Sequence, residues 1–291
     1  MAAEPTHGAG AGGGAGEPNH ARRFMTIWIV ASLIATPLVV LLVGPIMPPG
    51  NGSAQASGHV VDNTVLIGMA TPVLLLVLVY LIYAIAYFRA PKGGEAILEG
   101  PAVNGNSRVQ GTWIVITTIL VLSLAVYGTV RLVEDGAGSG QGPSPAWPAA
   151  GKKLPVQVIA QEWAFTYRYP TYGGVETDHL VLPVNQTVEL HVTSLDVIHS
   201  FWAYQLGVKA DANPNVDNVV FVKPTKTQSF EVRCAELCGI WHGYMYDHGR
   251  VVAPAVFEAW VREQQERFAG TTKYLPPYAT KYVPEPARRA E

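Results

Sequence analysis

Cysteine and charged residues are both scarce in this chain. Its only two cysteines, Cys234 and Cys238, exclude a disulfide framework and leave at most one bridge. Charged residues make up 14% of the chain, the formal net charge is −2, and the second half has no Lys/Arg-rich run, so nucleic-acid binding is not expected. The absence of a Cys-x-x-Cys-His sequence excludes an attached c-type haem, and no glycine-rich phosphate loop is present.

Long apolar runs with almost no charge occupy 24–43, 65–88 and 113–130. Each has roughly the 20 residues that a helix needs to cross a bilayer. A buried core helix is the alternative for any single run, but soluble folds rarely make helices apolar on every side. Three such runs before a polar second half predict membrane spans.

The basic residues predict how these spans are oriented, because Lys and Arg collect on the cytoplasmic side. The loop 44–63 contains neither, whereas the other flanks contain Arg22, Arg23, Arg89, Lys92 and Arg108. The N-terminus and the 89–111 loop are therefore expected in the cytoplasm, and everything after Val133 outside it. We expect a multi-pass protein of a bacterial-type plasma membrane with an extracytoplasmic C-terminal domain.

The first apolar run has two interpretations, a retained anchor and a signal peptide. A Gly/Ala-rich leader at 1–23, predicted to be disordered and cytoplasmic, precedes the first span at 24–47. Ala54-Gln55-Ala56 fits a small-residue cleavage site, but it lies far from a run that is already long for a signal peptide. Retention is slightly favoured, and both interpretations stay open.

The rest of the chain is predicted to contain a helical hairpin at 64–133, a Gly/Ser/Pro-rich linker at 134–152, a globular domain at 153–269 and an irregular tail at 270–291. Within the globular domain, short β-branched segments such as 156–160, 187–192 and 229–233 predict strands. The fold class is therefore N-terminal transmembrane helices followed by an all-β sandwich or barrel.

One surface helix is expected to close the β domain. The segment 254–268 starts with proline, which suits a first helical turn, and its apolar residues among the charges are Val256, Trp260 and Val261.

Both cysteines belong to a short segment that has the ligands of a soft metal. Cys234, Cys238, His242 and Met245 can surround one centre from a single loop. Thiolate, imidazole and thioether together favour copper over the hard cations, and an axial Met is more typical of copper than of zinc. Two metals sharing two sulfurs need an imidazole each, and His199 is the best candidate for the second. A simple disulfide between the cysteines is the alternative.

Other histidines are weaker candidates. His248 is a rival ligand, but Asp247-His248-Gly249 is more simply interpreted as a turn. His179 and His191 lie near or within predicted strands and are expected to be surface or hydrogen-bonded residues.

Three segments together resemble subunit 2 of cytochrome c oxidase. They are Cys234-x-Glu236-x-Cys238-x-x-x-His242-x-x-Met245, the upstream Asp196-Val197-Ile198-His199-Ser200-Phe201, and the aromatic Gln161-Glu162-Trp163-Ala164-Phe165-Thr166-Tyr167. The resemblance implies a cupredoxin fold, which is a Greek-key β-barrel, and covers the chain from about Val65 to Trp260.

The resemblance also implies a role for each matching residue. Cys234 and Cys238 would bridge the two coppers of the centre called CuA. His199 and Met245 would complete one copper, and His242 and the backbone carbonyl of Glu236 would complete the other. The Glu236 carboxylate would face a magnesium ion at the boundary with the catalytic subunit, and Trp163 would be the residue at which electrons arrive.

The implied function is an electron relay. The chain would accept electrons from cytochrome c, or another c-type cytochrome, and pass them to the haem-bearing catalytic subunit 1, which reduces oxygen to water. A membrane-tethered copper-binding or copper-delivery protein is the alternative.

Two departures from the family pattern have functional consequences. Relatives commonly carry Glu at the mouth of a proton-uptake path, where this chain has Gln110; another acid, such as Glu95 or Glu99, would then have to serve. Some relatives have paired acids where this chain has Leu195-Asp196, so docking of a basic cytochrome is expected to depend less on ionic strength.

Overall fold

The computed structural model describes residues 19–89, 105–134 and 153–274. Its N-terminal part contains long helices, which are α1 (His20–Leu42), α2 (Ala54–Tyr87) and α3 (Ser107–Glu134). Among the described residues, three helical stretches are long and apolar enough to cross a membrane, with mean hydropathies of 2.5, 2.7 and 2.1. The prediction of apolar N-terminal helices is confirmed. Parts of the leader, loop, linker and tail predictions lie outside the described residues. They fall on 1–18, Glu95, Glu99, 135–152 and 275–291.

Polar and close contacts join α1 to the apolar part of α2, and these residues form one compact unit. The indole Nε1 of Trp28 donates to the carbonyl of Pro72 at 2.8 Å, and His20 Nδ1 lies 2.7 Å from the Tyr83 hydroxyl. Gly68 lies against Val40, where an added Cβ would be tight. Small residues and polar links of this kind are how helices associate where no hydrophobic driving force acts between them.

The second unit contains the β domain, built from ten strands among its described residues. They are β1 (Leu154–Gln161), β2 (Ala164–Tyr169), β3 (Val175–Thr177), β4 (Val181–Pro183), β5 (Val188–Ser194), β6 (His199–Ala203), β7 (Val208–Ala212), β8 (Asn218–Val222), β9 (Gln228–Cys234) and β10 (Tyr246–Val252). The order is β3-β2-β1-β5-β8 in one sheet and β4-β10-β9-β6-β7 in the other. The pairs β1·β5 and β4·β10 are parallel, and the rest are antiparallel. This arrangement confirms the all-β, cupredoxin-like prediction.

The core of the β domain forms where strand residues alternate between buried and exposed positions. Strand β7, for example, buries every second residue. The largest fully buried side chains include Tyr167, Tyr169, Phe201 and Phe230. The two sheets thus share one apolar core, which holds the strand ends and loops around the candidate site in place.

Helix α4 (Pro254–Thr272) packs on this core, with its proline in the first turn as predicted. Phe257 and Val261 are buried, and Trp260 packs against the core. Val256 is 54% exposed. The packed face therefore starts at Phe257, because residues four apart lie on the same side of a helix.

The segment before the apolar part of α2 belongs to the same unit as the β domain. Helix α2 begins at Ala54, well before the predicted start of the hairpin at 64, because Ser53 caps it: Ala56 N–H donates to Ser53 Oγ at 2.9 Å. Ser53 Oγ also donates to the carbonyl of Leu206 at 2.6 Å. Ala56 is fully buried beside Gly207, whose φ is +63°. The candidate cleavage site Ala54-Gln55-Ala56 is thus part of a segment docked on the β domain.

Candidate metal centre

The two cysteine sulfurs form the middle of a compact group of donor atoms. Their Sγ atoms are 3.7 Å apart. His199 Nδ1 lies 3.8 Å from the sulfur of Cys234, and His242 Nδ1 lies 3.6 Å from the sulfur of Cys238. The thioether of Met245 is 3.9 Å from the sulfur of Cys238. The structure thus brings together all the predicted nitrogen and sulfur donors, with one imidazole beside each thiol.

The β-sheet and one loop position these donors. Cys234 ends β9 and His199 begins β6, and the two strands pair with Phe201 opposite Cys234. The loop then returns to β10, where the N–H of Cys234 donates to the carbonyl of Met245 at 3.0 Å. His199, distant in sequence, therefore reaches the cysteines because its strand is the neighbour of theirs.

The carbonyl of Glu236 also points into the group, 3.2 Å from the sulfur of Cys234. The side chain of Glu236 is exposed. Within the described residues, His199, Cys234 and Cys238 form a group of His, Cys, Asp or Glu donors that could hold a metal ion. The magnesium site predicted at the Glu236 carboxylate stays a prediction.

The two thiols are free and buried. Their sulfurs are too far apart for a disulfide, whose S–S distance is about 2.05 Å. Burial, together with the hydrogen bond and the electrostatic effect of Cys234, raises the pKa of the Cys238 thiol to about 12. Two adjacent thiolates therefore need a bound cation, and a buried set of sulfur and imidazole donors fits copper.

Asp196 orients His199 and was not recognised as a site residue from the sequence. Its Oδ1 accepts from His199 Nε2 at 2.9 Å, and its Oδ2 accepts from the N–H of Glu162 at 2.6 Å. Burial disfavours the charge, but these hydrogen bonds and that from Val197 N–H lower the pKa of Asp196. A carboxylate behind a ligating imidazole fixes the ring and its tautomer. The spacing Asp-x-x-His was the only signal in the sequence.

Trp163 lies directly against the metal loop. Its indole Nε1 donates to the carbonyl of Cys238 at 2.9 Å. The next residue, Gly239, has a φ of +111°, and a Cβ there would lie 3.2 Å from the Trp163 ring. Glycine is therefore required both for the backbone conformation and for the close approach of the indole.

His248 is not one of the gathered donors, and the prediction of a turn at Asp247-His248-Gly249 is wrong. These residues lie inside β10. A glycine is needed at position 249, because the ring of Phe230 occupies the space in which a Cβ would lie. His179 and His191 are hydrogen-bonded, as expected: His179 Nδ1 lies 2.5 Å from Asp247 and His191 Nδ1 lies 3.1 Å from Asp217.

Large apolar side chains are exposed on the loops that carry the buried donors, a feature that sequence patterns did not indicate. The exposed large residues on the two loops that carry the donors are Leu195, Val197, Ile198, Leu237, Ile240, Trp241 and Tyr244. We call this set the apolar rim. Contiguous exposed apolar residues commonly mark a surface that contacts another protein.

Comparisons with known proteins identify a family for this chain. Residues 174–252 match the family model described as cytochrome C oxidase subunit II, periplasmic domain. Cytochrome c oxidase subunit 2 of Thermostichus vulcanus is 27% identical over 312 residues, covering 91% of this chain and 93% of that protein. The subunit 2 of Bacillus subtilis (strain 168) is 28% identical over 252 residues, covering 82% and 68%.

Among solved structures, the periplasmic domain of subunit II of cytochrome oxidase of Bradyrhizobium japonicum is 34% identical, with a TM-score of 0.39, and covers 40% of this chain and 95% of that one. The family model and the full-length relatives agree on one assignment: the chain belongs to the cytochrome c oxidase subunit 2 family.

Proposed function

We propose that this chain is the electron-accepting subunit of its oxidase. It takes electrons from cytochrome c at a binuclear copper centre of the CuA type and passes them to the haem groups of the catalytic subunit, where oxygen is reduced to water. The observation that carries this proposal is the symmetric donor set, in which two sulfurs 3.7 Å apart each have an imidazole nitrogen within 4 Å.

We assign the donors as the resemblance implies. Cys234 and Cys238 would be shared by the two ions, His199 and Met245 would complete the ligands of one ion, and His242 with the carbonyl of Glu236 would complete those of the other. A bound pair of copper ions sharing one unpaired electron supplies a one-electron carrier. No residue of the set needs to leave its position for that function, since the donors are held by β6, β9 and the hydrogen-bonded loop between β9 and β10.

The protein holds the donor side chains in fixed positions and shields them from water. His199 is 0% and Met245 is 1% exposed, so water has little access to that side of the group. Rigid, buried donors limit the rearrangement that accompanies each electron transfer. They also favour a relay over a copper-delivery protein, because delivery requires exposed ligands that exchange readily.

Trp163 is the proposed point of arrival for electrons. Its indole is partly buried and bonded to the carbonyl of Cys238, which connects a surface aromatic residue to a bridging ligand by one hydrogen bond. The apolar rim lies on the loops around it and offers a contact surface for a protein partner.

We further propose that the β domain lies outside a bacterial plasma membrane that the apolar helices cross, and that Glu236 contributes to a magnesium site at the boundary with catalytic subunit 1.

The test is a metal titration of the full chain purified in detergent. With the thiols reduced, copper(I) is added under argon, bound copper is counted, and one electron is then removed with a chemical oxidant. We expect two coppers per chain and a paramagnetic resonance spectrum split by two equivalent copper nuclei. C238S, which removes one bridge, should lose the shared-electron spectrum. A single copper with a mononuclear spectrum in the unaltered chain, or zinc preferred at full occupancy, would contradict the proposal.

A further inference from the structure

A cavity of about 330 Å³ opens beside the donor group. Three of the donors, Cys234, His242 and Met245, contribute to its lining. Its other walls include Glu231, Arg233 and His248, none of which belongs to the donor set. The cavity therefore connects side chains outside the metal site to the sulfur and nitrogen atoms within it.

The β9–β10 pairing places the wall residues opposite one another. Glu231 faces His248 across the two strands, and Arg233 faces Tyr246. Directly opposed residues have Cβ atoms about 4.5–5.5 Å apart. Their side chains lie on the outer side of the sheet, since the alternate residues of both strands are buried. A carboxylate and an imidazole thus stand together at the opening.

The charges at the opening partly cancel. Arg233 Nη2 lies 2.7 Å from Glu231 Oε2, with 60% and 40% of these side chains exposed. The ring of His248 packs edge-on against Tyr246, with centroids 5.7 Å apart. The imidazole of His248 is therefore at the surface, next to the carboxylate of Glu231. That carboxylate would attract a cation if the guanidinium of Arg233 moved away from it.

A copper ion must pass from solvent to donors that are themselves almost fully buried. Cys234 is 8%, Cys238 4% and Met245 1% exposed, whereas His242 is half-buried and lines the cavity. Imidazole binds copper well, and thiolate and thioether bind copper(I) more strongly. A path from an exposed imidazole through His242 to the sulfurs would run from weaker to stronger ligands.

We propose that this cavity is the route by which copper reaches the centre, and that His248, assisted by the charge of Glu231, holds the ion before it passes to the buried donors. The inference rests on the proposed copper site. The transfer is an exchange of ligands with no change of oxidation state. The ion leaves the imidazole of His248, and each thiol releases a proton to water as its sulfur binds.

The experiment measures how fast the metal-free full chain in detergent takes up copper(I) under argon, followed by the ultraviolet thiolate-to-copper absorption. We expect H248A to load about tenfold more slowly at micromolar copper, because a ligand fixed at the opening raises the local concentration of the ion. E231Q should load several-fold more slowly. R233Q should load faster, since it leaves the carboxylate of Glu231 unpaired. H59A is the matched control: it removes an exposed histidine that does not line the cavity, and it should load like the unaltered chain.

The opposite effects of E231Q and R233Q separate a role in loading from simple damage to the sheet, which would slow both. All variants should reach the same final copper content and the same spectrum after one-electron oxidation. Loading of H248A and E231Q at the unaltered rate would overturn the inference while the copper site itself stands. A changed final spectrum in H248A would also overturn it, because His248 would then be a ligand of the finished centre. If the unaltered chain binds no copper, the proposed function fails as well.

Discussion

Substitution of Gly239 by alanine tests how the metal loop and Trp163 support each other. Gly239 has a φ of +111°, and a Cβ there would lie 3.2 Å from the Trp163 ring. An L residue in a positive-φ conformation costs about 1–2 kcal/mol. Displacing the indole would also break its hydrogen bond to the carbonyl of Cys238, worth about 1 kcal/mol. We expect the free energy of local opening of the loop to fall by about 2–3 kcal/mol.

Amide hydrogen exchange of the metal-free, reduced full chain in detergent measures this directly. The loop amides of Cys234, His242 and Met245 are hydrogen-bonded in the structure and should report local opening. A loss of about 2–3 kcal/mol corresponds to exchange about 30- to 150-fold faster in peptides covering 234–245.

Gly243→Ala is the matched control in the same loop. Gly243 has no atom within 4 Å of an added Cβ and no positive φ, so its substitution should change exchange by less than about threefold. Equal exchange in G239A and G243A would refute the reasoning, because the special conformation and the contact with Trp163 would then contribute nothing.

Four further predictions concern the site, the membrane segment and a histidine of the β domain. D196N should bind copper about 10- to 100-fold more weakly in competition with a chelator, because a neutral amide orients His199 less well; unchanged affinity would argue against a positioning role. Because Asp196 is turned toward His199 and backbone amides, oxidation of the donor cytochrome should depend only weakly on ionic strength, and a steep dependence would contradict this. Q110A should leave oxygen consumption of the assembled oxidase nearly unchanged, and a large loss would show that this amide still serves proton uptake. The hydrogen bond to Asp247 raises the pKa of His179 against the opposing effect of its partial burial, so its stabilising effect is complete below about pH 6.5 and is lost as pH rises through the folded-state pKa. The thermal midpoint should therefore fall less between about pH 6 and 8 in H179Q than in the unaltered chain, and parallel pH profiles would refute this.

The sequence was sufficient for features that depend on local composition. Runs of apolar residues predict membrane-length helices, because the length of a helix and the solvent around it are set by consecutive side chains. Alternation of apolar and polar residues predicted strands that the structure contains, such as β1, β5 and β9. The loop ligands Cys234, Cys238, His242 and Met245 could be named because they are close along the chain.

Longer-range relations came only from the tertiary structure. Asp247-His248-Gly249 suggested a turn, but pairing with β9 and the space needed by Phe230 place it inside a strand. Ala54-Gln55-Ala56 looked like a cleavage site, yet the hydrogen bond of the neighbouring Ser53 to Leu206 and the contact of Ala56 with Gly207 dock this segment on the β domain. Such contacts join residues far apart in sequence, and no local pattern encodes them.

The two scarce cysteines therefore indicated the chemistry of the site, since thiolates beside His and Met in one loop already select a soft metal. The tertiary structure decided how that site is completed. Pairing of β6 with β9 brings His199 to the sulfurs, Asp196 orients its ring, and the β9–β10 surface opens a cavity beside them. Ligand identity is a property of side chains, whereas ligand geometry and access depend on which strands become neighbours.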